Sequence, residues 1–257
     1  MLMQAIEKIK PTIAVWVSCG VASAIAASET LCLYGETHNV RLVNNPVVEE
    51  GEDNRRFLTD VSSWLDQPIE SVTHPDYPAC SAVEVWDRRK AMSFPRGAPC
   101  TVSLKKEARQ IWERKNTVDW HVLGFTADEK ARHDRFVLTE RSNVLPVLID
   151  AGITKAGCMT LIRAAGIEPP EAYGLGYPNA NCRGCVKATS PTYWNLVRRV
   201  DSEVFDSRAV QSRRLGVRLA RYKGNRVFLD ELPALAKGRS LKTLEMPDCG
   251  IFCEERK

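Results

Sequence analysis

The stretch Thr12–Glu29, TIAVWVSCGVASAIAASE, runs from one apolar segment into another through a turn of small residues, and its reading decides the fold. Ile13–Val17 is rich in β-branched side chains and predicts a buried strand. Ser18, Cys19, Gly20, Val21, Ala22 and Ser23 make the turn. Val21, Ala24, Ile25, Ser28 and Cys32 then recur at helical spacing along one face of the following helix. A strand that enters a helix through small residues leaves backbone N–H groups unpaired at the helix N-terminus, where free donors and the helix dipole favour a phosphate. The turn therefore reads as a nucleotide phosphate site, with a tight structural connection as the plainer alternative. It has neither the Gly-Lys-Ser/Thr ending of a Walker loop nor the three spaced glycines of a dinucleotide fingerprint.

Outward from this stretch, strand-like and helix-like segments alternate. That pattern predicts an α/β fold, a Rossmann-like parallel sheet with helices on both faces. Val40–Asn44 is a second strand. Asp53–Leu65 is an amphipathic helix with Phe57, Leu58, Val61, Trp64 and Leu65 on one side, and Ile69–Val72 is a short third strand. His74–Pro99 is irregular and reads as a functional loop or small insertion. Val102–Arg114 is helical, and Trp120–Gly124 and Val144–Leu148 are further strands. Thr154 caps a helix that turns Cys158, Leu161, Ile162 and Ala165 inward and stops at Gly166. Pro178–Cys185 must be a loop. Pro191 follows Ser190 at the start of a helix whose stripe is Trp194, Val197, Val200, Val204 and Phe205. Val217–Leu229 is a hairpin turning at Lys223, Gly224 and Asn225. Residues 1–180 are thus expected to form a nucleotide-binding α/β domain. Residues 181–257 form a smaller extension of cysteine loop, helix, hairpin and cysteine-bearing tail.

At 257 residues, 44% hydrophobic and 26% charged, the chain can bury a substantial core and has the composition of an ordinary globular protein. Its longest apolar stretch, Ile13–Ala27, is interrupted by Ser, Cys and Gly and falls short of the roughly 20 residues that span a bilayer. No membrane span is expected. Met1–Lys10 has no apolar region of the export type, so the expected location is cytoplasmic. Nine cysteines in such a chain argue for reduced thiols, and for metal or redox chemistry ahead of disulfides. A net charge of +4 is compatible with an anionic ligand or nucleic acid and requires neither.

Cys182 and Cys185 have the two-residue gap that lets both sulfurs reach one metal or cluster, with Gly184 giving the loop freedom. Cys100, just after Gly97, Ala98 and Pro99, is the best further ligand. A cysteine-rich zinc site competes with this reading, as does a surface turn with incidental thiols. Cys249 sits near the end of the chain, where a thiolate on a tail can approach a bound substrate. Cys253 could resolve a persulfide or disulfide on it, or complete the cluster. Cys19 and Cys80 are weaker candidates, and Cys32 and Cys158 read as small core residues. Arg198, Arg199, Arg208, Arg213, Arg214, Arg218 and Arg221, with Tyr193 and Trp194, suggest a track for nucleic acid phosphates. Asp201, Glu203 and Asp206 interrupt that track, and the alternative is a solvated face.

The turn resembles the PP-loop of the adenine nucleotide alpha hydrolase superfamily, which includes ATP pyrophosphatases and phosphoadenosine phosphosulfate (PAPS) reductases and whose loop reads Ser-Gly-Gly-x-Asp-Ser. Ser18, Gly20 and Ser23 stand at the matching Ser, second Gly and final Ser. Cys19 replaces the first glycine, and Val21 and Ala22 stand where ATP pyrophosphatases usually carry Lys and Asp. Cys100 through Lys105 resembles the Cys-x-x-x-x-Lys segment of sulfonucleotide reductases. Asp248, Cys249, Gly250 and Ile251 resemble the start of their Glu-Cys-Gly-Leu-His ending, with Phe252 in place of the His. The segment from Gly124 to Arg132 resembles the family segment that follows a strand with a glycine, a glutamate and an arginine; a charged helix start is its simpler reading.

The resemblance implies a PP-loop type of α/β fold. It implies contacts to ATP or another adenine nucleotide, with Mg2+, from the Ser18–Ser23 turn, Gly124, Glu129 and Arg132, and catalytic roles for Cys249 and Lys105. It further implies a [4Fe-4S] cluster on Cys100, Cys182 and Cys185, with an open iron or with Cys253. The implied activity is ATP-dependent sulfur insertion into nucleic acid, of the tRNA thiolation or DNA phosphorothioation type. A cysteine desulfurase or thioredoxin-like protein would be the sulfur donor. An adenylyl-sulfate or PAPS reductase, and a non-catalytic nucleotide-binding subunit of a modification complex, are the alternatives.

Overall fold

The computed structural model describes residues 10–94 and 97–241. Thr12–Trp16 forms β1, and its two-residue alternation sorts the faces of a sheet. Ile13, Val15 and Val17 enter one core cluster, while Ala14 and Trp16 enter another. Val21–Tyr34 follows as α1, Asn39–Asn44 as β2, Asp53–Leu65 as α2 and Ile69–Ser71 as β3. After Ala82–Arg89 (α3) comes a π-helical segment, Thr101–Glu107, which runs directly into Ala108–Glu113 (α4). Trp120–Val122 is β4, Lys130–Thr139 α5, Val144–Leu145 β5, Val147–Asp150 α6, Lys155–Ala164 α7 and Glu171–Gly174 α8. Pro191–Val200 (α9), Ser202–Arg214 (α10) and the hairpin Ala220–Tyr222 (β6) with Asn225–Val227 (β7) complete the described chain.

The sheet order is β3-β2-β1-β4-β5, with every pairing parallel. α1, α2, α6 and α7 supply Ile25, Phe57, Leu148 and Ile162 to the Ile13 face, while α4 and α5 bring Trp112 and Phe136 to the Trp16 face. The protein is therefore α/β, a five-stranded parallel sheet flanked by helices in a Rossmann-like arrangement. Among the described residues, no helix is long and apolar enough to cross a membrane. The strand order reverses beside β1, which directs a ligand to the crevice outside the carboxyl ends of β1 and its neighbours.

Several local expectations are corrected. Cys32 is exposed, because α1 is buried mainly over its first half, where Ala24, Ile25, Ala26 and Ala27 are all inside. Leu161 is likewise exposed, leaving Cys158 and Ile162 as the buried pair of α7. Pro146 ends β5 after two residues, so Val147 and Leu148 are helical. His74–Pro99 is not wholly irregular: Ser81 Oγ accepts from Glu84 N–H at the head of α3, and Val85 and Trp86 are core residues. The long stripe near residue 200 is split between α9 and α10, which meet at Asp201.

The segment 182–241 shares one core cluster with residues 77–104. Trp194, Val197 and Phe205 pack there with Trp86, Met92 and Leu104. This places the cysteine loop against the segment that leads into α4.

Candidate functional site

The turn after β1 is held by its own hydroxyls. Ser23 Oγ lies 2.6 Å from Ser18 O and 2.8 Å from Gly20 O, and Ser18 Oγ donates to Ser23 Oγ at 3.1 Å. Gly20 is the extended residue at the head of α1 and has no side-chain cap. Among the described residues, the N–H groups of Cys19, Gly20 and Ala22 have no acceptor, as the strand–turn–helix reading expects. The Tyr173 hydroxyl lies beside the turn, 3.8 Å from where a Cβ on Gly20 would sit. Gly124 lies against this turn, where an added Cβ would sit 2.8 Å from Ser23 N and 3.0 Å from Ala22 C. A glycine is needed there by the packing of the turn itself, whatever a nucleotide requires.

Beside the turn lies a buried ion pair that sequence reasoning half found. Lys105 Nζ donates to Glu50 Oε1 at 2.7 Å, with both side chains 7% exposed, and the Cys19 thiol is 3.8 Å from Glu50 Oε2. Burial, reinforced by the Glu50 carboxylate, pushes the Cys19 thiol well above its ordinary pKa, so it stays protonated at neutral pH. Glu50 carries no motif, and its partner is 55 residues away. A cavity of about 280 Å³ opens here, lined by Cys19, Asn44, Glu50, Asn54, Arg55 and Cys80 among others. It lies near the lower bound of small-molecule sites, roughly 300 Å³. The cavity touches the turn at Cys19, and Gly124, Glu129 and Arg132 do not line it.

Cys182 and Cys185 are buried at the head of the second core, and Cys100 is half-buried against the same cluster. Tyr193 staples the cysteine loop: Cys185 N–H donates to its hydroxyl at 2.8 Å, and the hydroxyl donates to Cys182 O at 3.4 Å. Gly184 has φ +65°, and a Cβ on it would meet Val204 Cγ1 at 2.8 Å and Arg208 Cγ at 3.3 Å. Arg208 is 4% exposed, and its guanidinium lies 4.6 Å from the centre of the Trp86 ring. Burial lowers its pKa, opposed by Glu49, Cys182, Cys100 and Tyr193. Among the described residues, no group of three or more His, Cys, Asp or Glu side chains is arranged to hold a metal ion. Cys249 and Cys253 lie outside the described residues.

Two short segments join the turn to the cysteines. Cys100 heads the π-helical segment, packed on the core cluster to which Cys182 and Cys185 belong, and Lys105 in the same segment reaches Glu50 beside Cys19. The 3-10 turn Val48–Glu50 makes contacts to both places. Glu50 bonds Lys105, while Glu49 O accepts from Arg183 N–H of the cysteine loop at 2.9 Å. Asn54 adds a third tie, donating to Ala180 O at 2.9 Å. π-Helical insertions concentrate at functional sites because they re-aim side chains within a helix.

The other candidates have local roles. Glu129 accepts from Thr126 N–H and hydroxyl in a capping box and pairs with Arg132, which lies over the Phe125 ring. Tyr193 and Trp194 are buried and offer no face on which a base could stack. Arg213 pairs with Asp230 and Glu231, Arg214 with Asp87, and Arg198 donates to Leu229 O and Leu232 O, so much of the basic run is engaged within the fold.

Fold and site together define a Rossmann-like α/β protein with a thiol-bearing module docked at the carboxyl edge of its sheet. No protein-family model matches the chain, and no characterised protein matches it in sequence.

Proposed function

We propose that this is an adenine-nucleotide-binding, PAPS reductase-like protein of the PP-loop type that carries an iron–sulfur cluster and acts in cytoplasmic sulfur transfer, with nucleic acid as the acceptor. One observation carries the reading: a single π-helical segment runs from Cys100, packed on the core cluster that holds Cys182 and Cys185, to Lys105, whose partner Glu50 lies beside Cys19 in the turn after β1. The cysteine loop is tied to the same region, with Arg183 N–H donating to Glu49 O at 2.9 Å, next to the Glu50 that pairs with Lys105.

The residues divide the work. The N–H groups of Cys19, Gly20 and Ala22 meet the phosphates of ATP or a related nucleotide, with Mg2+ offsetting their charge. Lys105 neutralises Glu50 and adds a cation near the phosphates. Cys100, Cys182 and Cys185 would be the thiolates that hold a cluster when one is bound. A [4Fe-4S] centre on three cysteines would supply an iron with an open coordination position. Cys249 on the tail is the nucleophile, Cys253 resolves a persulfide or disulfide on it or completes the cluster, and a cysteine desulfurase or thioredoxin-like protein supplies sulfur.

A second reading, a nucleotide-binding subunit without turnover, is favoured by Val21 and Ala22 in place of the usual Lys and Asp. Anaerobic purification with iron and sulfide analysis, followed by incubation with ATP, adenylyl sulfate and PAPS, separates the possibilities. Pyrophosphate from ATP supports sulfur transfer, sulfite from a sulfonucleotide supports a reductase, and binding without turnover supports the subunit. A Cys182→Ala protein with undiminished iron removes the cluster from the proposal.

A further inference from the structure

Cys19, Glu50 and Lys105 come from three separate segments and meet at one carboxylate. Glu50 Oε1 accepts from Lys105 Nζ at 2.7 Å, while Glu50 Oε2 lies 3.8 Å from the Cys19 sulfur, within reach of an S–H hydrogen bond. Thiol and carboxylate both line the cavity of about 280 Å³ beside the turn. Cys19 keeps its proton at neutral pH, since burial and the neighbouring carboxylate disfavour the thiolate. A thiol in that state becomes a nucleophile through an adjacent base, and Glu50 is placed to be that base.

The backbone adds a further part. Cys19 lies where β1 turns into α1, and the N–H of Gly20, the next residue, has no acceptor among the described residues. At a strand-to-helix turn, the N–H after a nucleophile is one that holds the oxyanion formed when that side chain attacks a carbonyl. The rest of the cavity specifies the substrate. Pro46, Val47, Leu58 and Pro78 give it apolar walls, and Arg55 lines it with a guanidinium that makes no hydrogen bond or ion pair among the described residues. The small volume suits a short chain, and the guanidinium suits a carboxylate at its far end.

We propose that Cys19 and Glu50 are the catalytic residues of a second activity, hydrolysis of a small primary carboxamide that carries a carboxylate for Arg55. The thiol proton passes to Glu50 Oε2 as sulfur bonds the amide carbon and the carbonyl electron pair moves onto oxygen, which accepts from Gly20 N–H. Collapse breaks the C–N bond, Glu50 returns the proton to the leaving nitrogen, and ammonia departs from an acyl thioester on Cys19. Water then attacks the thioester and gives its proton to Glu50, and the acid leaves as the thiol is restored. Nothing is oxidised or reduced, and water is the only co-reactant. The inference does not rest on the nucleotide reading: a phosphate on the turn would occupy the Gly20 N–H, so this chemistry belongs to the nucleotide-free protein.

The full chain, reduced and free of nucleotide, is treated with para-nitrophenyl acetate, and the acetylated residues are mapped by peptide mass spectrometry. Ammonia release is followed with succinamate and with propionamide, which lacks the carboxylate. Acetylation of Cys19 ahead of the exposed Cys32 is expected, with succinamate turned over roughly tenfold faster than propionamide. Cys19→Ala should abolish ammonia release, and Glu50→Gln should lower kcat roughly 100-fold. Arg55→Leu, at an exposed position where folding is not at stake, should remove the preference for succinamate.

No ammonia from succinamate overturns the activity, whichever cysteine is acetylated. Ammonia release that survives Cys19→Ala, or acetylation confined to Cys32 or to Cys80, the other thiol of the cavity, overturns the assignment of the nucleophile. An unchanged preference in Arg55→Leu overturns the carboxylate specificity.

Discussion

At the turn after β1, Lys105 and Glu50 bury their charges against each other at 2.7 Å, whereas at the other end of the π-helical segment Arg208 buries a charge against a tryptophan ring and makes no ion pair among the described residues. Both sites are more than nine-tenths enclosed. The turn is electrostatically closed: its ionic groups are matched, its hydroxyls are spent on its own carbonyls, and it holds its shape without a ligand. The cysteine module is open, because the fold around it carries a donor that nothing in the described chain satisfies. A buried charge with a partner is cheaper to enclose than one without.

The largest expected effect tests the closed side. Lys105→Met leaves Glu50 charged and buried beside Cys19 and should cost about 3–5 kcal/mol in urea unfolding, as breaking buried pairs does. Adding Glu50→Gln should recover most of that loss. A single variant that costs under about 1 kcal/mol would mean that the turn is not closed, and the contrast with Arg208 would lose its basis.

Gly184→Ala probes the open side. It adds a Cβ at positive φ and forces it to 2.8 Å from Val204 Cγ1, two sources of strain worth about 1–3 kcal/mol each. Urea unfolding should show a loss of about 2–4 kcal/mol, and Cys182 and Cys185 should label faster with a thiol reagent. An unchanged labelling rate would show that the loop is not clamped on Arg208.

The sheet side has a second closed unit, read through pH. Trp16 Nε1–H donates to His121 Nδ1 at 3.1 Å, and Arg141 and Glu113 face the other ring nitrogen. Burial, together with the Arg141 and Arg109 charges, lowers the His121 pKa from 6.5 to about 3. The unfolded chain gains this proton as pH falls through 6.5 and the folded chain does not until about 3, so stability is lost on acidification across that window and not above it. The loss should reach about 2 kcal/mol at pH 5. Urea midpoints at pH 7.5 and 5 measure it, and His121→Gln should flatten the difference. Iron content should not alter this window, because His121 belongs to the sheet and not to the cysteine module.

The smallest effect concerns the hydroxyl that borders the turn. Tyr173→Phe removes the hydroxyl 3.8 Å from where a Cβ on Gly20 would sit and should change stability by no more than about 1 kcal/mol. Its expected consequence is a several-fold gain in affinity for ATP or adenylyl sulfate, measured by titration calorimetry. Weaker binding would make Tyr173 a ligand contact instead of a stopper.

Much of the fold was legible because its signals are local. Ile13–Val17, Asp53–Leu65, the Thr154 cap, whose Oγ1 accepts from Gly157 N–H at 3.1 Å, and the turn at Lys223 and Gly224 each depend on residues within a few positions of one another. Errors arose where periodicity ran past a break, as at Pro146 and Asp201, or where a small-residue helix was buried on more than one side, as α1 is. The site was legible in part. Cys100, Lys105 and the Cys182, Cys185 pair stand out by type and spacing, whereas Glu50 and Arg208 look like any other charged residues on a polar stretch.

By itself, the sequence determined a parallel α/β protein with a small-residue turn at the head of its first helix and a pair of cysteines two residues apart, because hydrophobic period, caps and turn chemistry are written in neighbouring positions. Only the tertiary structure decided that Lys105 answers Glu50 across 55 residues and that Arg208 answers nothing in the described chain. Whether a buried charge is matched depends on which distant segments the core brings together, and no window of neighbouring residues contains that distance.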